Sequence, residues 1–462
     1  MDLVVIPSRL ISRLNKWLQI MKSLIIRIPH VARFIQFIST SSLYKGVLIL
    51  GFGTVMAQLV GILSMPIITR LYTPSDLGVL AVYSSILAII GAGATLRYEF
   101  AFPLPKEDSD AINLFGLCLI LLIITTTLLA AGLFLGSEIV TSYYGDYAVI
   151  KPYLWFLIPG FIGLGFYTIL NYWAVRKRDY KRITYTTINR GFGSSITTVS
   201  LGLLSFGPIG LIIGYIISQV AGIGTLARIM WKKDRENLKK ISLNRIQQVT
   251  LTYKSFPIFN LPASIVNTIS LQVPSLMFLF IYDARIAGLY ALANIVVITP
   301  GSVISGSMAQ AYFGEVSRMV REKSQGLLSL YINTLKHLTV IAIPLIGIPS
   351  LCAPFVFGLI FGEAWTEAGW YCWPLGLMVI SGFAVSPTSN LSTYGYNHWQ
   401  LSWDVMRTAS VIGSFFAIIY YNLSPIYALL VYGIIMIIMY CLLYFLNIIA
   451  INRFSSMIEV QT

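Results

Sequence analysis

Apolar runs of about twenty residues, the length that crosses about 30 Å of hydrocarbon, recur along this 462-residue chain between short polar breaks. Twelve can be marked, at about 46–69, 77–97, 111–136, 152–175, 183–206, 208–230, 255–281, 286–309, 332–360, 368–392, 401–421 and 425–450. In lipid every backbone N–H and C=O needs an internal partner, so each run predicts a helix. Barrel strands would instead show short segments alternating every second residue. The pattern predicts an all-α integral membrane fold of twelve transmembrane helices.

Two stretches break the rhythm. Residues 1–43 contain no uninterrupted apolar core, yet Leu10, Leu14, Trp17, Leu18, Met21, Leu24, Ile25 and Ile28 share a helical face opposite Arg9, Arg13, Lys16 and Arg27. That predicts a basic amphipathic helix lying on an anionic leaflet. Residues 231–245, WKKDRENLKKISLNR, separate six runs from six. The expected organisation is therefore a six-helix bundle over 44–230, a basic cytoplasmic linker over 231–254, a second bundle over 255–450 and a tail over 451–462.

Composition agrees, with 56% hydrophobic and only 11% charged residues against roughly 25% charged in soluble domains. A net charge of +14 would suit nucleic acid, but its placement points elsewhere. Of 32 Lys and Arg, 28 fall on one side of the predicted membrane, three (Arg70, Lys151, Arg285) on the other, and Arg190 inside the fifth run. The positive-inside rule then puts both termini in the cytoplasm and leaves no call for a nucleic-acid partner. Cys118, Cys352, Cys372 and Cys441 have no metal-ligand spacing, and only Cys352 and Cys372 flank a common outer connection where a bridge could form.

RLYTPSDLG (70–78) reads as a helix start: Thr73 as N-cap, Pro74 in the first turn, and Asp76 at the third position. A similar start, IYDARIAG, lies 210 residues on, aligning Tyr72 with Tyr282 and Gly78 with Gly288. Six helices per half leave the halves with like orientation, so the expectation is a parallel repeat about the membrane normal. Tyr72 and Tyr282 suit an interfacial aromatic belt.

Walker, HExxH, GxSxG and Cys/His metal patterns are all missing, so no cofactor or metal is expected. Asp108-Ser109-Asp110 resembles the DxD of sugar transferases, but no soluble nucleotide-binding domain surrounds it, and it reads as a solvated helix start. Ionisable groups in or beside spans are functional candidates because hydrocarbon disfavours them. Arg190 leads, since its guanidinium fork fits a phosphate and Gly191 and Gly193 leave room beside it. Arg97 and Lys336 are supporting cations, and Glu99 and Asp404 are candidates for ion coupling. Lys336, His337 and Arg407 are also compatible with a surface-facing role, and Arg97 with Glu99 reads as an ion pair. Gln58, Asn171, Asn267, Asn294 and Gln310 mark polar inner faces.

RLYTPSDLG followed by LRYEFAFPLPKEDSDA resembles the opening of Wzx-like oligosaccharide flippases of the polysaccharide transporter family, within the MATE-like (MOP) exporter superfamily. KSFPIFNLPASIVNTISLQVP, AGLYALANIVVITPGSVISGSMAQAYFGEVSR and FGEAW extend the resemblance through the second half. It implies two six-helix bundles in a MATE-like V and no enzyme activity. It further implies translocation of undecaprenyl-pyrophosphate-linked oligosaccharide repeat units across the bacterial inner membrane, for O-antigen or another exopolysaccharide, by alternating access. A polysaccharide polymerase and a chain-length regulator would be partners alongside membrane lipids. The rival is a MATE-type drug or cation antiporter, which would want acids deep in the spans.

Overall fold

The computed structural model describes residues 42–143, 149–322, 326–391 and 393–461. The amphipathic segment expected over 1–43 thus lies outside the described residues, apart from the two positions that begin α1 (Ser42–Leu71). The helices that follow are α2 (Pro74–Gly91), α3 (Asp108–Tyr143), α4 (Leu157–Arg176), α5 (Tyr180–Leu203), α6 (Pro208–Val220) and α7 (Ile223–Leu238). Helix α8 (Leu243–Thr252) joins the halves. The second half comprises α9 (Leu261–Ile281), α10 (Ala284–Arg321), α11 (Leu327–Ala342), α12 (Ile348–Phe361), α13 (Thr366–Val385), α14 (Asn397–Tyr420) and α15 (Pro425–Gln461). No strand occurs among the described residues.

Among the described residues, ten segments are long and apolar enough to cross a membrane, which makes this a multi-pass membrane protein. The other two expected spans are α5 and α14, each a helix of 24 residues. They are long enough at 1.5 Å per residue. Polar positions make them less apolar than the other ten: Thr, Ser, Asn189 and Arg190 in α5, and Asn397, Gln400, Asp404 and Arg407 in α14. Both are the fifth span of their half.

The repeat is sharper in three dimensions than in the sequence. Helices α5 and α14 start 217 residues apart and end 217 residues apart. The same offset relates Ser205 to Asn422, both left-handed (φ 58° and 49°), and Pro208 to Pro425, which open the following helices. It also relates Arg190 to Arg407 and Tyr215 to Tyr432. The longer connection 386–396 shifts the register from the 210 of the first two helices.

Most Lys and Arg lie at the end of the bundle that holds the start of α1 and the close of α15, called here the basic end; the opposite end is the far end. Both helix starts seen in the sequence form at the far end. Thr73 and Asp76 make a reciprocal capping box, and Asp283 accepts from Ile286 N–H at 2.7 Å. Gly78 and Gly288 follow one turn later, where α2 and α10 cross between the halves. A Cβ on Gly78 would strike the Ala284 carbonyl and one on Gly288 the Pro74 carbonyl, a mutual contact that leaves no room for any side chain.

Around that crossing both halves share one packed core, from Ile68, Tyr72, Leu77 and Val82 to Phe278, Leu289, Phe361 and Trp365. Trp365 Nε1 donates to the Thr69 carbonyl at 2.8 Å across the same seam. The two remaining cores each belong to one half: one joins α2 to α8, and the other lies at the basic end of α10, α11, α14 and α15. Outside the shared core the halves also meet through Gln58 Nε2 and Ser302 Oγ at 3.4 Å, near the middle of α1 and α10, and at the basic end through Arg97 and Ser264 and through Phe256, which packs against the first half's core.

Tyr72 and Tyr282 do not form an interfacial belt. Tyr72 is buried and donates to the Thr198 carbonyl at 2.7 Å, and Tyr282 donates to the Leu423 carbonyl at 2.7 Å. Each ties the end of its half's first helix to the end of the fifth, which is why a tyrosine recurs there.

Candidate functional site

Below the crossing, toward the basic end, a cavity of about 330 Å³ opens between the halves, within the range of small-ligand pockets. Ser84, Ser194, Thr198, Ser275 and Asn294 line it, and Ser85 Oγ donates to Gln272 Oε1 across it at 2.9 Å. None of its lining residues is charged, and Tyr215 is its one aromatic. The equivalent positions on α14 are Val411 and Phe415, both buried. Phe415 meets Phe278 edge-on at 5.9 Å and Tyr432 at 6.3 Å, so aromatic packing fills in the second half the space that hydroxyls leave open in the first.

Arg190 is on α5, one turn toward the basic end from Ser194. Its Nε donates to the Ser218 carbonyl, its Nη2 to Gln219 Oε1 at 3.1 Å, and its guanidinium covers the Tyr167 ring at 4.0 Å. These partners belong to α4 and α6, so the group is held within the first bundle. Its neighbouring glycines serve helix packing: Gly191 rests on Ala57 of α1 and Gly193 faces Ile217 of α6.

Arg97 and Glu99 come together in the connection after α2, with Nη1 3.8 Å from Oε1. Glu99 is buried and accepts from Thr95 Oγ1. Leu96 and Arg97 are both left-handed (φ 50° and 67°), a conformation that costs an L-residue energy and turns the chain sharply. The turn carries Arg97 across to Ser264 on α9, beside a second cavity of about 330 Å³ lined by Thr95, Arg97, Glu99, Thr168 and Thr268.

Asp404 pairs with Arg407 at 3.3 Å and accepts from Gln400 Nε2 at 3.1 Å. Arg407 is only 7% exposed, lies over Trp403 at 4.7 Å and donates to Asn267 Oδ1 at 3.0 Å. The surface-facing reading of Arg407 is therefore replaced: it is a buried cation bound to α9. Sequence reasoning lacked the signal that would have found it, the 217-residue equivalence with Arg190.

Lys336 stands apart from all of these, exposed on α11. It is 25 residues before Phe361 on the path Leu327–Phe361, so it lies about 38 Å along the helix, past the roughly 30 Å hydrocarbon thickness.

Asp108-Ser109-Asp110 has a structural task. Asp108 binds Arg176 and Lys177, both at 2.8 Å, and Asp110 binds Arg245 of α8 at 2.8 Å. Asn113, fully buried, donates to the Lys240 carbonyl at 3.2 Å and accepts from Ser242 N–H at 2.9 Å. With Ile246 and Val249 buried in the first core, α8 is fastened to the first bundle rather than hanging between the two. Cys352 and Cys372 are free thiols, the first exposed and the second buried, so they form no bridge.

A family model described as polysaccharide biosynthesis protein matches residues 67–369. Among curated proteins there is no match. Several solved structures share the fold. An inward-facing multidrug resistance MATE family transporter of the MOP superfamily superposes with TM-score 0.69 at 16% identity, covering 88% of this chain and 96% of the other. The lipid II flippase MurJ in an inward closed conformation gives TM-score 0.66 at 14% identity, covering 89% and 91%. A MOP superfamily transporter from Pyrococcus furiosus gives 0.59 at 15% identity, covering 89% and 96%. What these transporters and this flippase share with the chain is the fold.

Proposed function

Because the chain belongs to the polysaccharide biosynthesis protein family, we propose that it is a flippase for lipid-linked oligosaccharides. The substrate is an undecaprenyl-pyrophosphate-linked repeat unit for O-antigen or another surface polysaccharide, the membrane is the bacterial inner membrane, and the basic end is cytoplasmic. The observation that carries this reading is the asymmetry between the two ends. A buried core shared by both halves closes the far end, while among the described residues no buried core cluster spans the halves at the basic end, where Arg97 meets Ser264 and Phe256 packs against the first half. Few, weak ties there suit a passage that opens to the leaflet where such lipids are made. Two rigid bundles that hinge on one packed seam can exchange which end is closed.

The chemistry also fits. A sugar diphosphate cannot enter hydrocarbon without losing its hydration, and the hydroxyl and amide groups set among the apolar lining of the cavity between the halves can replace water around sugar hydroxyls. Of the cations expected to hold the diphosphate, Arg97 has the best position, since it bridges the halves beside a cavity. Arg190 serves from inside the first bundle, and Lys336 would act only at the headgroup surface. The antiporter alternative wants an unpaired acid in the spans. Here Asp404 is matched by Arg407 and Glu99 by Arg97. In a deletion strain, lipid-linked repeat units should accumulate on the cytoplasmic leaflet and surface glycan should fall, with both restored by the gene. Normal surface glycan in that strain overturns the assignment.

A further inference from the structure

A cavity of about 320 Å³ lies at the basic end of α4, α5 and α7, with every described lining residue drawn from the first half. Its lining changes with depth. Leu170 and Leu226 form the inner wall, about 10 Å further along their helices than Lys177 and Asp234. Among the described residues, the charged lining is two bases, Lys177 and Arg182, and two acids, Asp179 and Asp234, all at the outer level. A water-soluble ligand gains little from the apolar wall, whereas a lipid matches both levels, chains inside and headgroup outside. Beside the cavity, Tyr185 one turn from Arg182 and Trp231 next to Met230 are 64% and 61% exposed, aromatic side chains at the level where a bilayer places its headgroups.

The four charges are unequally committed. Lys177 is fixed between Asp108 and Asp234, and Asp234 also accepts from Trp173 Nε1. Asp179 and Arg182 pair with each other, Oδ2 to Nη1 at 2.6 Å, with side chains 26% and 30% exposed. Asp179 occupies the N-cap of α5, where a carboxylate ordinarily accepts a backbone N–H of the first turn, yet its side chain makes no cap bond. It faces Arg182 instead. That pairing engages one oxygen of Asp179 and one arm of the Arg182 fork, so an ammonium donor can add to the first and phosphate oxygens to the second.

Balanced charge then selects the ligand class. An anionic headgroup would meet two carboxylates and a cationic one two bases, but a zwitterion satisfies both. Exposed Arg228, Lys232 and Arg235 attract anionic lipid from outside, but salt screens exposed charges beyond about 8–10 Å, while contacts in the cavity are direct. A primary ammonium donates hydrogen bonds to carboxylates, and a quaternary one has no N–H to donate.

We propose that Asp179 and Arg182, beside Lys177 and Asp234, form a headgroup site for phosphatidylethanolamine in the leaflet at the basic end. The phosphate binds Arg182, the ammonium binds Asp179, and the first methylenes of the chains meet Leu170, Leu226 and Met230. A bound headgroup ties the turn between α4 and α5 to α7. The site does not depend on what the protein transports, so it and the flippase reading stand or fall separately.

The test is native mass spectrometry on the full-length protein, stripped of lipid in detergent and titrated with phosphatidylethanolamine, phosphatidylglycerol or phosphatidylcholine. Phosphatidylethanolamine should bind about tenfold more tightly than either of the others. Arg182→Gln should weaken binding of phosphatidylethanolamine and phosphatidylglycerol alike. Asp179→Asn should weaken phosphatidylethanolamine but not phosphatidylglycerol and so erase the preference; a side chain that only braces the turn would not separate the two lipids. Arg285→Gln, at the far end, serves as the control that keeps the preference. Equal or tighter binding of phosphatidylglycerol by the unaltered protein overturns the site, as does full phosphatidylethanolamine affinity in the folded double variant Asp179→Asn/Arg182→Gln. Should the variants fail to fold, the preference of the unaltered protein decides alone.

Two further arms fix the source and the place. Soluble phosphoethanolamine should compete only weakly because it lacks chains, and competition as strong as the lipid's would overturn the lipid assignment. A phosphatidylethanolamine with a photoreactive group near the start of one chain should label peptides around Leu170, Leu226 and Met230. Labelling scattered evenly over the lipid-facing helices would overturn the location.

Discussion

Lys177 shows how much of this protein's polar chemistry is structural. It binds Asp108 at 2.8 Å and Asp234 at 3.2 Å and lies over Trp173, whose Nε1 donates to Asp234 at 3.1 Å. Partial burial opposes its charge, but the hydrogen bonds to Asp108 and Asp234 prevail and hold its pKa above the ordinary lysine value. A base whose folded pKa is raised adds stability that is full below its unfolded pKa, about 10.4, and is lost as pH rises through the folded value. Lys177→Gln should therefore lower the melting temperature by the same amount at pH 6 and pH 9, and the difference should shrink only in stronger alkali. Thermal unfolding followed by intrinsic fluorescence would check this. A gap that already closes between pH 6 and pH 9 would contradict it. The sequence showed Lys177 as one of five cations in 176–182 and could not show that it is a clamp, because Asp234 lies 57 residues away.

Helix starts were the most legible elements. Thr73, Pro74 and Asp76 act through neighbours within three residues, so the capping box could be read from the chain and is present. Thr73→Ala should cost about 1 kcal/mol, as N-cap removals do, while Thr73→Ser should cost much less. Comparing the two in chemical unfolding of the reconstituted protein separates the cap from any loss of bulk. Helices α5 and α14 were legible as lengths but not as partners. Arg190 and Arg407 occupy the eleventh position of each, yet the intervening connections differ in length, so a single alignment offset conceals the match. Arg407 consequently read as a surface group. Its burial depends on Asn267, Trp403 and Asp404 meeting around it, and Asn267 is 140 residues away.

At the scale of the molecule, the crossing of α2 and α10 is the seam on which the two halves depend. A leucine at Gly78 would overlap the backbone of α10, and overpacking of this kind costs about 1–3 kcal/mol. Because no buried core cluster spans the halves at the basic end among the described residues, the molecule can relieve that strain by parting the seam. Gly78→Leu should therefore lengthen spin-label distances between the far ends of α1 and α12 and abolish glycan export at normal protein levels. Gly288→Leu should do the same by symmetry. Unchanged distances in both variants would show that the seam is not where the halves separate.

Hydropathy, charge placement and capping grammar settled by themselves that this is an all-α membrane protein with like-oriented halves and helix starts at Thr73 and Asp283. Each of those properties is set by residues close together in the chain or by the solvent that surrounds it. Tertiary structure alone decided that Tyr72 and Tyr282 tie helix ends together, that a cavity opens between the halves beside Thr198 while Phe415 is packed at the equivalent position, and that Arg97 and Arg407 each reach a side chain of α9. These depend on groups more than a hundred residues apart coming within a few ångströms. Hydrogen bonds and close packing act only at that range, and the order of residues along the chain does not record it.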